Sequence, residues 1–213
     1  EGVHIHIIDA ELMGKGEKEK KDLYIEGVQN NGIINHYEYI INSEGTIEIR
    51  HVLKPEGKMP LWFPRIGLTL TVSDALDQVK WYGRGPQENY PDRKTGYPTG
   101  IYASTVQAMY EPYLMPQEYG LRTDVRWLQL STDKGIGLQF KMTEWFNFNI
   151  YPYSTDNLTK AMYTYQLQKQ KGMTLNLDYA TTGVGCTARG VFGAYKAMPQ
   201  EYRRTISIKP MMK

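Results

Sequence analysis

Apolar and polar side chains alternate with a period of two along most of this chain, the pattern of strands with one buried and one solvated face. It runs through "VHIHII" (3–8), "GTIEIRHVL" (45–53), "RIGLTLTVS" (65–73), "DVRWLQLST" (124–132), "GIGLQFKM" (135–142), "FNFNIY" (146–151), "MTLNLDYA" (173–180) and "RRTISIK" (203–209). These runs are rich in Ile, Val, Thr, Tyr and Trp, whose branched or flat side chains suit a pleated surface. Gly, Asn, Asp or Pro separates them. "SEG" (43–45) and "TDKG" (132–135) read as hairpin turns. Helical signal is confined to "STDNLTKAM" (154–162), where a Ser or Thr cap precedes a short apolar-periodic turn. No fixed-period repeat appears, which argues against a propeller or solenoid. The expectation is an all-β fold: one large antiparallel β-sandwich over residues 1–213, with one short helix.

With 41% apolar residues among 213, the chain can bury a proper core. Its formal net charge is only +2 and the signs are interspersed, so it lacks the clustered basic stripe that nucleic acid requires. The charge run "GKGEKEKKD" (14–22) mixes signs and reads as a solvated hairpin tip. A single cysteine, Cys186, excludes an internal disulfide and a cysteine-rich zinc site. No apolar stretch reaches the roughly 18 residues of a membrane span. The sequence opens on "EGVHIH", without an initiator Met or signal peptide, and is expected to be a C-terminal piece of a longer multidomain protein. It does not encode a compartment.

One segment breaks the alternation. From Gly83 to Gly120 the chain is rich in Pro, Gly and Tyr, and loops of this length are functional or form a covering layer. It opens with "WYGRGPQENYPDR" (81–93). Paired carboxylates could support glycosidic chemistry, and Glu88 with Asp92, or Glu118 with Asp124, qualify by residue type. The stronger reading is structural: Glu88, Asn89, Asp92 and Arg93 satisfy the backbone of an irregular loop. Asp92 would pair with Arg93 or Arg122, and Trp81 and Tyr82 would pack beneath. His4 and His6 share a strand face, but no acid or cysteine follows at metal-ligand spacing; His36 and His51 are isolated. There is no G-x-S-x-G elbow, and Cys186 has no nearby histidine. No catalytic residue and no metal ligand is therefore assigned.

"WYGRGPQENYPDRKTG", followed by "YEPYLMPQEYGLRTDVRWLQL", resembles the C-terminal domain of the large bacterial β-galactosidases of glycoside hydrolase family 2. "FNFNIYPYSTDNL", "LNLDYATTGVGC" and "YRRTISIKP" match later parts of that domain in the same order, so the resemblance covers roughly Gly67 to the C-terminus. It implies a supersandwich of the galactose mutarotase-like type. It also implies a domain that is non-catalytic alone, in an enzyme that hydrolyses terminal β-D-galactosides with retention. In that family the catalytic glutamates lie on a separate barrel domain, which also binds Mg and Na, so no cofactor is expected here. The implied partners are a β-galactoside and the barrel domain of the same chain, within an enzyme that could be a homo-oligomer; nucleic acid and membrane are not among them. The loop "GVGCTARGVFGAY" (183–195) would reach the rim of the sugar site. Many members carry a sugar-stacking Trp there; this chain has none, which leaves Arg189, Phe192 and Tyr195 as the substrate-contacting candidates. The alternatives are a stand-alone carbohydrate-binding module and a mutarotase-like epimerase. The epimerase chemistry commonly needs a His with a Glu in a cleft, and all four histidines fall in the first quarter of the chain.

Overall fold

The computed structural model describes residues 32–186 and 190–212. "VHIHII", the charge run 14–22, His4, His6 and Arg189 lie outside the described residues. Nine strands are found among the described residues: β1 (Gly32–Ile41), β2 (Ile47–Glu56), β3 (Arg65–Val72), β4 (Gln78–Arg84), β5 (Thr99–Thr105), β6 (Arg122–Ser131), β7 (Gly137–Tyr151), β8 (Met173–Thr181) and β9 (Tyr202–Met211). Every pairing is antiparallel. One helix, α1 (Thr155–Lys160), is capped by the Ser154 side chain, which accepts from the Asn157 N–H at 3.0 Å. Among the described residues the fold is all-β with one short helix, as the alternation implies.

The hairpin turns sit where their residues place them. Gly45 (φ 76°) and Gly135 (φ 80°) supply the left-handed conformations that close β1–β2 and β6–β7. Asn42 accepts from the N–H groups of Glu44 and Thr46 through its side chain, a local bond that stiffens the first turn.

β7 organises the architecture. Along one edge it pairs with β6; along the other, Gly137–Met142 pairs with β9 and Asn147–Tyr151 pairs with β8. The sheet therefore forks near residues 143–146, one arm continuing β9–β2–β1 and the other β8–β3. Ile49, Ile206 and Ile208 from the first arm and Leu70, Leu175 and Leu177 from the second share one core with Val79, Trp81, Leu128 and Phe148. Each such side chain contributes about 1.5–3 kcal/mol through burial.

The sequence runs "GIGLQFKM" and "FNFNIY", expected as two strands, form the single strand β7. The intervening residues Thr143, Glu144 and Trp145 include no Gly, Pro, Asn or Asp to turn the chain. The lapse in alternation there marks the fork. β1, β4 and β5 fall outside the alternating runs read from sequence. β1 and β5 end the strand order as edges, and much of each is exposed, so neither needs a clean apolar face, whereas β4 lies between β6 and β5 and carries the start of the 81–93 signature.

His51 of β2 is buried, its ring stacked on Tyr37. Its Nε2–H donates to Asn35 Oδ1 (3.0 Å), which leaves Nδ1 to accept from the Tyr179 hydroxyl (2.7 Å). Burial pushes the imidazole down to about 4. The unfolded chain takes up this proton near pH 6.5, whereas the folded chain stays neutral until about 4. The stabilisation is therefore full above pH 6.5 and lost as pH falls through that window. At ~1.4 kcal/mol per unit, the loss amounts to at most about 3 kcal/mol. Urea melts from pH 7 to 4.5 should show a shallower pH dependence for His51→Gln than for the wild type. Identical slopes would contradict a buried neutral His51.

Candidate functional site

The 81–93 signature is a strand running into a loop that carries its own partners. Trp81 is fully buried in the middle of β4, donates through Nε1 to the Arg84 carbonyl (3.0 Å), and meets Phe148 edge-on. Tyr82 points to the opposite face, against Trp127 and the Arg126 guanidinium, so only Trp81 packs beneath the loop. This follows from strand geometry, since neighbours on a strand face opposite ways.

Glu88 and Asn89 lock this loop to residues 120–123. The buried Glu88 carboxylate accepts from the Gly120 N–H (2.9 Å), Tyr90 Oη (3.2 Å), Arg93 Nη2 (3.1 Å) and the Tyr113 hydroxyl. Asn89, also buried, accepts through Oδ1 from the Thr123 N–H and hydroxyl, and its own N–H donates to the Leu121 carbonyl. "GPQENYPDR" and "YGLRTD" are thus two halves of one hydrogen-bonded unit.

Asp92 faces elsewhere. Its Oδ1 accepts from the Val184 N–H (3.1 Å) and its Oδ2 from the Gly185 N–H (2.7 Å), more than ninety residues along the chain. Gly183 lies so close that an added Cβ would stand 2.3 Å from Asp92 Cγ. Gly185 is left-handed (φ 66°), which turns consecutive N–H groups toward one carboxylate. The expected ion pair of Asp92 with Arg93 or Arg122 is not what forms. Arg93 is taken by Glu88, while Arg122 is buried over Trp81 and donates to the carbonyls of Gly120 and Leu121.

The other carboxylates weighed from sequence are also engaged. Asp124 sits at an irregularity in β6 with φ 55°, bound by Arg84 Nε (2.6 Å) and Lys94 Nζ (2.8 Å). Burial works against its charge, yet hydrogen bonds from Lys94 and Arg84 hold the carboxyl below its usual range. Glu118 shares Arg65 with Asp178, and Arg65 grips both oxygens of each. Burial pushes the Asp178 carboxyl up to about 6 despite the Arg65 charge.

These ties shape a cleft of about 300 Å³. Lys94 and Asp124 line it beside Trp145, Asn147 and Thr181, and Ala194, Tyr195 and Lys196 of the 183–195 loop complete it. Trp145, 58% exposed, stacks on the Arg126 guanidinium at 4.1 Å. Tyr195 is 39% exposed and its carbonyl accepts from the Gly183 N–H, which closes the base of the loop. Phe192 is 65% exposed and does not line the cleft. Glu88 and Glu118 do not line it either. Hydroxyl, amide, ammonium and carboxylate groups between two flat rings suit a neutral polyhydroxylated ligand. Sequence reasoning missed Lys94, Trp145 and Asn147. The one signal for Trp145 was a large aromatic in the lapse of the β7 alternation.

A family model described as β-galactosidase small chain matches residues 6–208. The chain is similar to the β-galactosidase of Priestia megaterium, 38% identical over 147 residues, which are 69% of this chain and 14% of that protein. It is similar to that of Vibrio cholerae, 40% identical over 122 residues (57% of this chain, 11% of that protein). For Psychromonas ingrahamii the figures are 34% over 154 residues, 72% and 14%. The match thus spans 14% or less of the length of these relatives. Among solved structures, a GalM/aldose epimerase homologue from C. elegans aligns with a TM-score of 0.44 at 12% identity, covering 86% of this chain and 61% of that one.

Asp92→Ala should lower stability by about 1 kcal/mol, because it removes two hydrogen bonds from the 184–185 backbone to a charged acceptor. Gly183→Ala should destabilise the wild type yet cost little in the Asp92→Ala background, where the obstructing carboxylate is gone. A double-mutant cycle from urea midpoints reads this directly; additive losses would mean that Asp92 and Gly183 do not meet.

Proposed function

This chain belongs to the β-galactosidase small-chain family, and from that premise we propose that it is the C-terminal domain of a retaining β-galactosidase of glycoside hydrolase family 2. In this reading it does not hydrolyse galactosides alone. It presents its cleft and the 183–195 loop to a catalytic barrel domain, and together they enclose a terminal β-D-galactoside.

The observation that carries the reading is the Asp92 clamp. It fixes the loop so that Tyr195 stands in the same cleft as Lys94, Asp124 and Trp145. Tyr195 and Trp145 offer flat faces to the apolar side of a sugar ring, while Lys94, Asn147 and Asp124 offer hydrogen bonds to hydroxyls. The exposed Phe192 lies in the part of the loop that would meet the barrel, and Arg189 is a candidate from the family resemblance alone. A retaining glycosidase also needs two carboxyl groups about 5 Å apart, one free to act as nucleophile and one as acid. Here Glu88, Glu118 and Asp124 are each held by cationic side chains, and Asp92 by backbone N–H groups. None is poised for that work; in this reading the reacting carboxylates, and the Mg and Na that the family resemblance implies, are carried by the barrel domain.

The isolated chain should show no turnover of a chromogenic galactoside. In the full-length enzyme, Arg189→Ala, Phe192→Ala and Tyr195→Ala should each lower kcat/KM by about tenfold, equivalent to ~1.4 kcal/mol of transition-state binding. Wild-type kcat/KM in all three would reduce the loop to a strand connection. Turnover by the isolated chain that Glu88→Gln or Glu118→Gln abolishes would refute the non-catalytic assignment.

A further inference from the structure

A second cavity, of about 200 Å³, shares no lining residue with the cleft. Tyr110 and Tyr119 reach it from the Tyr-rich segment, and Tyr153 and Lys169 from the β7–β8 connection. Gln107 and Thr164 add an amide and a hydroxyl. Its walls are braced from behind. Tyr110 meets Tyr119 edge-on at 5.2 Å, Tyr119 packs on Tyr151 at 5.5 Å, and the buried Leu158 of α1 joins the same small apolar cluster.

The tyrosines here differ from those elsewhere in the fold. The hydroxyls of Tyr90, Tyr102, Tyr151 and Tyr202 donate to protein acceptors. Among the described residues no such bond engages Tyr110, Tyr119 or Tyr153. Burial, with the phenols of Tyr153 and Tyr110 close by, pushes the Tyr119 phenol up, and a phenol hydroxyl can both donate and accept. No carboxylate lines the cavity, which removes the means of holding a cation, and a single lysine is not a phosphate cradle. Flat rings with neutral donors and acceptors are what a sugar ring requires, CH groups against the aromatics and hydroxyls against the polar tips.

The short turn that carries Thr164 adds two further rings. Thr164 begins a short 3₁₀ turn, and its neighbours Tyr163 and Tyr165 stack at 5.4 Å with ring planes 7° apart. They are 57% and 79% exposed, a preformed aromatic platform facing solvent.

We propose that the Tyr110–Tyr119–Tyr153 cavity is a second carbohydrate site, taking one neutral hexopyranose unit, with the Tyr163–Tyr165 stack available to the next sugar along. The site is separate from the cleft and needs no catalytic step. The test uses the complete enzyme with its catalytic site blocked by a covalent fluoroglycoside inhibitor, titrated calorimetrically with methyl β-D-galactopyranoside and with glucose. Binding of at least one of the two sugars remains, with one site per chain. Tyr119→Phe and Tyr153→Phe each weaken it about three- to tenfold, the worth of one hydrogen bond, while their urea midpoints establish that the fold is kept. No residual binding of either sugar, or residual binding indifferent to both substitutions, overturns the proposal. Loss of the galactosidase assignment would show as absent turnover and would leave this binding signal in place.

Discussion

Irregular backbone inside a protein must find hydrogen-bond partners, because each buried N–H or C=O left unmet costs about 1–3 kcal/mol. That requirement governs the middle of this molecule. Glu88 and Asn89 answer it for residues 120–123, where the chain re-enters the sheet as β6. Asp92 adds a carboxylate tie to the more exposed turn that leaves β8. Three side chains within five residues thus join the signature loop to two distant stretches of chain. The positions of β6, of the long Tyr-rich segment and of the 183–195 loop all follow from them.

The forked sheet gives these contacts their functional meaning. β7 carries Trp145 at the fork and Asn147 just beyond it, and both face the cleft. Asn147 also bonds to Asp124 and Thr181, so strands from both sides of β7 are tied at the cleft floor. The 183–195 loop then supplies a further wall through Ala194 and Tyr195, held by the Asp92 carboxylate and by the backbone bond from Gly183 to Tyr195. In the proposed reading this wall is the domain's contribution to sugar recognition, and the barrel domain brings the chemistry.

Strands with one clean apolar face were legible from alternation, as in β3, β6 and β9, and so was α1 from its Ser154 cap. β1 and β5 were not legible, since each lies at a sheet edge where alternation relaxes. The polar signature was recognised as self-satisfied loop chemistry, but the partner of Asp92 was not. Sequence proximity favours Arg93, whereas the true partners lie on residues 184 and 185 and only folding brings them near. Backbone N–H groups leave no trace in residue identity. The single hint was Gly183, whose missing side chain is explained only once Asp92 is seen beside it. Trp145 escaped notice for a related reason, since the fork that carries it is a property of pairing between strands, and Lys94 is brought to the cleft by its ion pair with Asp124, thirty residues on.

The central claim is that Asp92, which does not itself line the cleft, shapes the sugar site by holding the loop that carries Tyr195. A kinetic double-mutant cycle on the full-length enzyme tests it, comparing kcat/KM for Asp92→Ala, Tyr195→Ala and the combined variant. The account predicts that either change alone lowers kcat/KM by about tenfold and that the pair loses scarcely more than one, because both remove the same wall. Wild-type kcat/KM in a folded but less stable Asp92→Ala enzyme would contradict it.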